Sequence, residues 1–152
     1  MIVVNGEDFI QRYIAHVRPN QVIDYAKYAL APPVVAAGAQ NTLLTLRPST
    51  DAPGVTPILV RYRRKDLTDY GTVILNRGTA TTLYGLLAQL GTKVFVSFTD
   101  AEGVEVHSQI SALDVTDRPI AAIPTNGYTL VDLIFKSTSY LFVGTLHLKV
   151  LP

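Results

Sequence analysis

The chain has 152 residues, the length of about one domain. Thirteen Lys and Arg residues nearly balance twelve Asp and Glu residues, and the net charge of +1 argues against a general nucleic-acid or membrane-surface binder. The absence of cysteine excludes disulfides, thiolate metal sites and a cysteine nucleophile. Only 16% of the residues are charged, against about 25% in an average soluble domain. This low share fits either a surface partly covered by partner chains or an ordinary compact β-rich domain.

The first residues, MIVVNGEDF, lack the basic and apolar regions of a secretory signal. No apolar run approaches the length of about 20 residues that a membrane-spanning helix needs. We therefore expect a soluble protein that is made in the cytoplasm and does not bind membranes.

The segment NGEDFIQRYIAHVRPN predicts an amphipathic helix, because its apolar residues recur at helical spacing. Asn5 is a suitable N-cap, and Pro19 ends the helix. The apolar face consists of Phe9, Ile10, Tyr13, Ile14 and Val17.

The next residues predict a second short helix, NQVIDYAKYAL, beginning at Asn20. The stretch APPVVAAGAQ follows as an extended connector, since paired prolines do not fit inside a helix. Residues 1–40 would then form either a helical cap on the domain or an arm that reaches a neighbouring subunit. We expect deletion of residues 1–19 to leave the remainder folded and to impair assembly.

From Asn41 onward the pattern changes to strands. NTLLTLR and PILVRYRR are predicted strands, with STDAPG as a turn between them. In the second strand Val60 and Tyr62 point to one side, and Arg61 and Arg63 point to the other. The turn DLTDYG then leads into the strand TVILN, which predicts a hairpin with PILVRYRR.

The segment GTATTLYGLLAQLG predicts the clearest internal helix. Leu83, Leu86, Leu87 and Leu90 lie on one helical face, a threonine is the N-cap, and Gly91 occupies the position after the helix.

The remaining sequence predicts further strands, KVFVSF, VEVHSQI, YTLVDLIF and YLFVGTLHLKVL, with KSTS joining the last two as a hairpin. The predicted fold class is α+β, predominantly antiparallel β with a sandwich-like sheet, one internal helix and an N-terminal helical segment. The predicted organisation is an N-terminal helical segment or arm with a Pro-rich connector at 1–40 and a β-rich domain at 41–152.

Few residues suggest chemistry. The three histidines, His16, His107 and His147, lie on separate predicted elements, and we expect them to have no close acidic partners. The aspartate pairs in predicted turns are explained by turn preference, although paired acids could also serve a glycosidase. We predict no catalytic residue, no metal site and no cofactor.

The stretch VRYRRKDL contains a basic cluster, Arg61, Arg63, Arg64 and Lys65. Nucleic-acid binding would need basic residues spread over a face with aromatic side chains between them, whereas Tyr62 points to the opposite side. The cluster is better interpreted as a solvated strand end or as a salt-bridging contact with a neighbouring subunit.

The order of an N-terminal helix, YRRKDL, GTATTLYGLLAQL and STSYLFVGTLHLKV resembles small virion structural domains of large tailed bacteriophages. The resemblance covers about residues 41–152 and supplies no catalytic residues. It implies a multi-copy component of the tail, baseplate, neck or fibre-attachment region, located in the virion.

We therefore predict a non-enzymatic structural subunit that contacts other virion proteins and copies of itself, but not nucleic acid. Its predicted contact residues are Phe9, Tyr13, Val17, Arg61, Arg63, Arg64 and Lys65. The alternative is a receptor- or carbohydrate-binding β-domain of a phage fibre, for which Tyr70 and Tyr128 are the suitable aromatic residues. A small cell-wall hydrolase is a third reading, but the sequence shows no convergent His, Asp and Glu group.

Overall fold

The computed structural model describes residues 1–49 and 54–152. Two α-helices, α1 (Gly6–Val17) and α2 (Leu87–Gly91), and two 3₁₀ helices, Tyr25–Lys27 and Leu83–Leu86, accompany twelve strands in this part of the chain. The strands are β1 (Ile2–Val3), β2 (Tyr28–Leu30), β3 (Val34–Val35), β4 (Thr42–Pro48), β5 (Ile58–Tyr62), β6 (Lys65–Asp66), β7 (Thr72–Asn76), β8 (Phe95–Thr99), β9 (Glu105–Gln109), β10 (Thr129–Ile134), β11 (Phe142–Val143) and β12 (Thr145–Leu151).

The strands form four small sheets. In the first, β4 pairs antiparallel with β2, β3 and β5. In the second, β12 lies between antiparallel β10 and parallel β7, so the C-terminal strand is paired on both sides. The third has the order β1-β9-β8, and the fourth pairs β6 with β11 in parallel. The α+β class with mostly antiparallel sheets is confirmed.

One hydrophobic core connects these sheets and both α-helices. Leu44 of β4, Leu75 of β7, Leu90 of α2, Val106 of β9 and Leu146 of β12 are each no more than 1% exposed and belong to the same cluster. The sheets and helices bury their apolar faces against one another. Each element therefore depends on the others for its stability.

The N-terminal helix belongs to this core. Asn5 caps α1 as predicted, because its Oδ1 accepts a hydrogen bond from the Asp8 backbone N–H at 2.8 Å. Ile10 and Ile14 are each 1% exposed in the common cluster. The preceding strand β1 pairs with β9, and the Val4 N–H donates to the His107 carbonyl. Residues 1–19 are therefore a cap that completes the core rather than a separable arm.

The second helix predicted from Asn20 is wrong. Only Tyr25–Lys27 forms a 3₁₀ turn, and Tyr28–Leu30 is strand β2. Leu30 pairs with Leu46 of β4. Pairing with β4 satisfies the backbone and overrides the weak helical spacing of this segment. The connector after it is extended as predicted, with Val34–Val35 as β3.

The predicted hairpin between PILVRYRR and TVILN does not form. β5 pairs with β4, whereas β7 pairs in parallel with β12. The residues between them turn away through β6, which pairs with β11. The predicted turn STDAPG lies largely outside the described residues.

The internal helix is shorter than predicted. Gly78 and Thr79 form a turn, and the residues just before Leu83 bond to a distant segment. The Leu83 N–H donates to the Arg118 carbonyl, and the Ile120 N–H donates to the Thr81 carbonyl. Thr82 stands at the N-cap without a side-chain capping bond. Gly91 ends α2 instead of following it.

The predicted last strand is divided at Gly144. This glycine has a φ of +89°, and a Cβ there would collide with Thr68 Oγ1 and Asp66 Oδ1. Glycine is the residue that tolerates both conditions. The turn allows Phe142–Val143 to pair with β6 before β12 begins.

Candidate functional site

A cleft with a volume of about 700 Å³ lies between α1, β8 and the segment from β5 to β7. Its volume is within the range of about 300–1,000 Å³ that is typical of ligand pockets. The lining combines aromatic, aliphatic and charged side chains from segments far apart in the sequence. They are Phe9, Ile10, Tyr13, Tyr62, Arg63, Lys65, Asp66, Tyr70, Lys93, Phe95, Val96, Ser97 and Leu141.

The cleft brings together two groups of predicted contact residues. Phe9 and Tyr13 come from α1, and Arg63 and Lys65 come from the basic cluster. Phe9 is only 6% exposed, so it forms part of the inner wall and is not a surface residue. Val17 and Arg61 are exposed but do not line the cleft.

Aromatic contacts fix the α1 wall of the cleft. The rings of Phe9 and Tyr13 both meet the Phe98 ring edge to face, with centroids 5.2 and 5.5 Å apart. His16 packs against the same ring at 5.2 Å. Edge-to-face pairs add to the stabilisation from burial alone. Phe98 therefore anchors α1 to β8 and holds this wall in place.

The opposite wall is basic. Lys65 Nζ donates a hydrogen bond to the Phe95 carbonyl at 3.1 Å and lies 5.3 Å from the centre of the Tyr70 ring. The Tyr70 hydroxyl donates to the Lys93 carbonyl at 3.3 Å. These bonds connect the segment around β6 with the beginning of β8 across the cleft.

The one carboxylate lining the cleft is turned toward its own loop. Asp66 Oδ1 accepts a hydrogen bond from the Thr68 N–H at 3.0 Å. Hydrogen bonds from the Thr68 backbone and hydroxyl groups lower the pKa of Asp66, and the charge of Arg63 lowers it to a smaller extent. Burial of the carboxyl group has the opposite effect on this pKa. Asp66 therefore stays ionised but makes no salt bridge with the basic cluster.

Arg64 departs most from the prediction of an exposed basic cluster. It is 1% exposed, and its Nε donates to Thr42 Oγ1 at 2.8 Å. Its Nη1 donates to the carbonyls of Ser137 and Ser139, at 3.0 and 2.9 Å. Burial lowers the pKa of Arg64. Arg64 is therefore a structural cation that holds the loop before β11, not an interface residue.

The network continues from Arg64 to a buried carboxylate. Ser139 Oγ donates to Asp114 Oδ1 at 2.6 Å, and the Ser111 N–H donates to Asp114 Oδ2 at 2.8 Å. Asp114, one of the aspartates that the sequence placed in predicted turns, thus also makes a long-range contact with Ser139. Ser139 links the buried cation and the buried carboxylate through its carbonyl and its hydroxyl.

Tyr62 forms the floor of the cleft. It is 3% exposed, and its hydroxyl donates to the Tyr140 carbonyl at 2.6 Å. Burial raises the pKa of Tyr62, and the opposing effect of Arg64 is smaller. Tyr62 keeps its proton at neutral pH and is not an anionic group.

Two histidines have acidic neighbours, one of them two residues away in the sequence and the other on a different strand. His107 Nε2 is 2.6 Å from Glu105 Oε1, and His147 Nδ1 is 2.6 Å from Asp132 Oδ1. The expectation that these histidines lack close acidic partners is therefore wrong. Neither pair lines the cleft. Within residues 1–49 and 54–152, no group of three or more His, Asp or Glu side chains could hold a metal ion.

A second surface feature is the outer face of the β7–β12–β10 sheet. Leu130 of β10, Lys149 of β12 and Ile74 of β7 form one row across the three strands. Ile134 lies further along β10 on the same face. Ile74, Leu130 and Ile134 are 52%, 69% and 64% exposed. We call this surface the outer sheet face.

The sequence did not identify Tyr70, Lys93 or β8 as parts of one site. In the sequence, Tyr70 and Lys93 share only a position close to the beginning of a predicted strand. That position does not show which strand edge remains unpaired. No helix in the described part of the chain is long and apolar enough to cross a membrane.

Comparisons of the chain with protein-family models, with curated proteins and with solved structures found no match.

Proposed function

We propose that this chain is a non-enzymatic structural subunit of a tailed-phage particle that acts through contacts with other proteins. The observation that supports contact formation is the outer sheet face. Its three apolar side chains, Ile74 on β7 and Leu130 and Ile134 on β10, lie on the two strands that flank β12 and remain largely exposed. Apolar side chains grouped on one face are typical of protein-binding surfaces.

The particle assignment rests on the sequence resemblance of residues 41–152 to small virion domains. Several features are compatible with it, including a charged share of 16% and the absence of cysteine. Subunits of symmetric assemblies bury much of their surface against neighbours, which allows apolar residues on the outside of each subunit.

The test is quantitative mass spectrometry of particles purified from cells that produce the chain. A structural subunit is present in a fixed copy number relative to the major capsid protein and remains bound through density-gradient purification. Its absence from purified particles, with the chain found in the host lysate, contradicts the proposal.

A carbohydrate-binding domain is the second candidate, and Tyr70 favours it. Tyr70 is 44% exposed and lines the cleft together with Tyr13, Lys65 and Asp66. Sugar binding in this cleft predicts that Tyr70→Ala removes retention on a glycan array, whereas Tyr128→Ala, at an exposed ring outside the cleft, preserves it. A wild-type protein that binds no glycan on the array excludes this candidate.

A further inference from the structure

The outer edge of β8 is an unpaired strand edge among the described residues. The Asp100 N–H donates to the Val104 carbonyl at the turn between β8 and β9. Because bonded residues alternate along an antiparallel pair, Val96 bonds to β9. Phe95 and Ser97 therefore direct their N–H and C=O groups toward the opposite edge.

This edge opens into the cleft. Phe95, Val96 and Ser97 all contribute to the cleft lining. The Phe95 carbonyl accepts the hydrogen bond from Lys65 Nζ at 3.1 Å, which confirms the direction of that carbonyl. Lys65 thus occupies the acceptor that an added strand would use. Lysine at a sheet edge commonly prevents unwanted pairing.

The charges around this edge favour an acidic occupant. Arg63, Lys65 and Lys93 line the cleft together with a single carboxylate, Asp66. Among the described residues no ion pair involves these three cations. Asp66 already accepts the Thr68 N–H. Carboxylates from another chain would therefore complement a surplus of positive charge.

We propose that the cleft accepts an extended acidic segment of another subunit, which adds as a strand to the outer edge of β8. Backbone N–H and C=O groups of this segment pair with Phe95 and Ser97. Lys65 leaves the Phe95 carbonyl and binds a carboxylate of the segment. Acidic side chains thus release the lysine that otherwise protects the edge. This inference deepens the proposed function and depends on it, since it names the kind of partner segment.

The absence of cysteine provides a direct test. Thr99→Cys introduces a unique thiol at the exposed end of β8. A peptide of alternating valine and glutamate, long enough to cover β8, is attached to it by a disulfide. Tethering gives an effective concentration of about millimolar order, so even a weak site is occupied. Hydrogen exchange then reports each backbone N–H of β8.

Strand addition predicts that exchange at the Ser97 N–H slows at least roughly tenfold with the tethered peptide. The Val96 N–H, which bonds to β9, serves as an internal reference. Two matched tethers are the controls: one with lysine in place of glutamate, and one with alternate backbone nitrogens methylated to remove the donors. If either control protects Ser97 as well as the original peptide, acidic strand addition is excluded.

Charge reversal tests the role of the basic wall. Arg63→Glu is expected to weaken binding of the untethered valine–glutamate peptide by roughly tenfold, with a larger effect at low salt. Arg61→Glu makes the same change at an exposed position outside the cleft and is expected to leave the affinity unchanged. Equal losses in both variants would show a nonspecific charge effect and overturn the proposal.

Lys65→Met tests whether the lysine limits strand pairing at the outer edge of β8. Removing the ammonium group exposes the Phe95 carbonyl, so a neutral peptide of alternating valine and threonine binds better than it does to the wild type. The preference for glutamate over threonine decreases at the same time. An unchanged preference would show that Lys65 does not control the edge. Failure of these peptide tests, with the chain still present in purified particles, rejects the inference and leaves the proposed function in place.

Discussion

Arg64 shows how the same residue type can take opposite roles at adjacent positions. Arg63 is exposed at the cleft, whereas Arg64 follows Val60 and Tyr62 on the inward side and is fully buried. The alternation of β5 thus continues past its last residue. The sequence shows this alternation. It does not show that carbonyls of the distant loop at 137–139 accept hydrogen bonds from the Arg64 guanidinium.

Arg64→Met is expected to destabilise the fold strongly. The change leaves Thr42 Oγ1 and the carbonyls of Ser137 and Ser139 without their donors, which costs roughly 2–4 kcal/mol in the free energy of unfolding. The measurement is urea denaturation at neutral pH. Arg63→Met is the matched control and should change stability by less than about 0.5 kcal/mol. Similar losses in both variants would contradict the structural role of Arg64.

The Tyr62 hydroxyl predicts a pH dependence. Burial raises the pKa of Tyr62, and of Tyr25 and Tyr140 to a smaller degree. A tyrosine whose pKa is raised by folding contributes fully to stability below its unfolded-state pKa of about 10. This contribution is lost as the pH rises through the folded-state pKa. Stability should therefore fall in alkali.

Tyr62→Phe removes that titration and the bond to the Tyr140 carbonyl. We expect a loss of about 1 kcal/mol at neutral pH and a shallower decline of the unfolding free energy between about pH 10 and about pH 12. Urea denaturation across this range provides the measurement. An alkaline decline as steep as that of the wild type would show that Tyr62 does not contribute to it.

At the scale of elements, substitutions in α1 test whether the N-terminal segment belongs to the common core. Its buried face packs into the common core, and β1 before it pairs with β9. Ile10→Ala is expected to cost roughly 2–4 kcal/mol, whereas Val17→Ala, at a position 46% exposed, should cost less than about 0.5 kcal/mol.

Deletion of residues 1–19 removes the whole cap and is expected to unfold the protein. Loss of the dispersed amide signals in a two-dimensional NMR spectrum would confirm this. A truncated chain that keeps them would show instead that the segment is a separable arm, the interpretation that the sequence initially allowed.

Local sequence patterns predicted the elements whose stability is local. The helical face of α1 and its Asn5 cap are both present, and β5 alternates as expected. Errors occurred where distant pairing decides the structure. Residues 28–30 join β4, and β7 joins β12 rather than the neighbouring β5. A parallel pairing between strands so far apart leaves no signal in either segment alone.

The candidate site follows the same rule. The sequence identified Phe9 and Tyr13 from their helical face and Arg63 and Lys65 from their charge, but not that they share one cleft. Tyr70 and Lys93 join them only through contacts across the fold. Which strand edge remains unpaired depends on the complete topology, so the role of β8 could not be predicted.

At the scale of the whole molecule, the fold presents two different surfaces that we propose as contact sites. The outer sheet face offers exposed apolar side chains, and the cleft offers a strand edge with surrounding positive charge. An apolar face suits broad packing against a neighbour, whereas a strand edge selects an extended segment. A subunit with both could contact two partners at once.

Substitutions on the outer sheet face test whether the chain enters a particle through protein contacts. Particles are assembled with the wild type or with Leu130→Glu/Ile134→Glu, and the incorporated copies are counted by quantitative mass spectrometry. The control is Val22→Glu/Val35→Glu, at positions that are 96% and 82% exposed and lie outside the β7–β12–β10 sheet. We predict that the face variant folds but is incorporated at least roughly tenfold less than the wild type, whereas the control is incorporated normally. Equal incorporation of all three proteins would contradict the account.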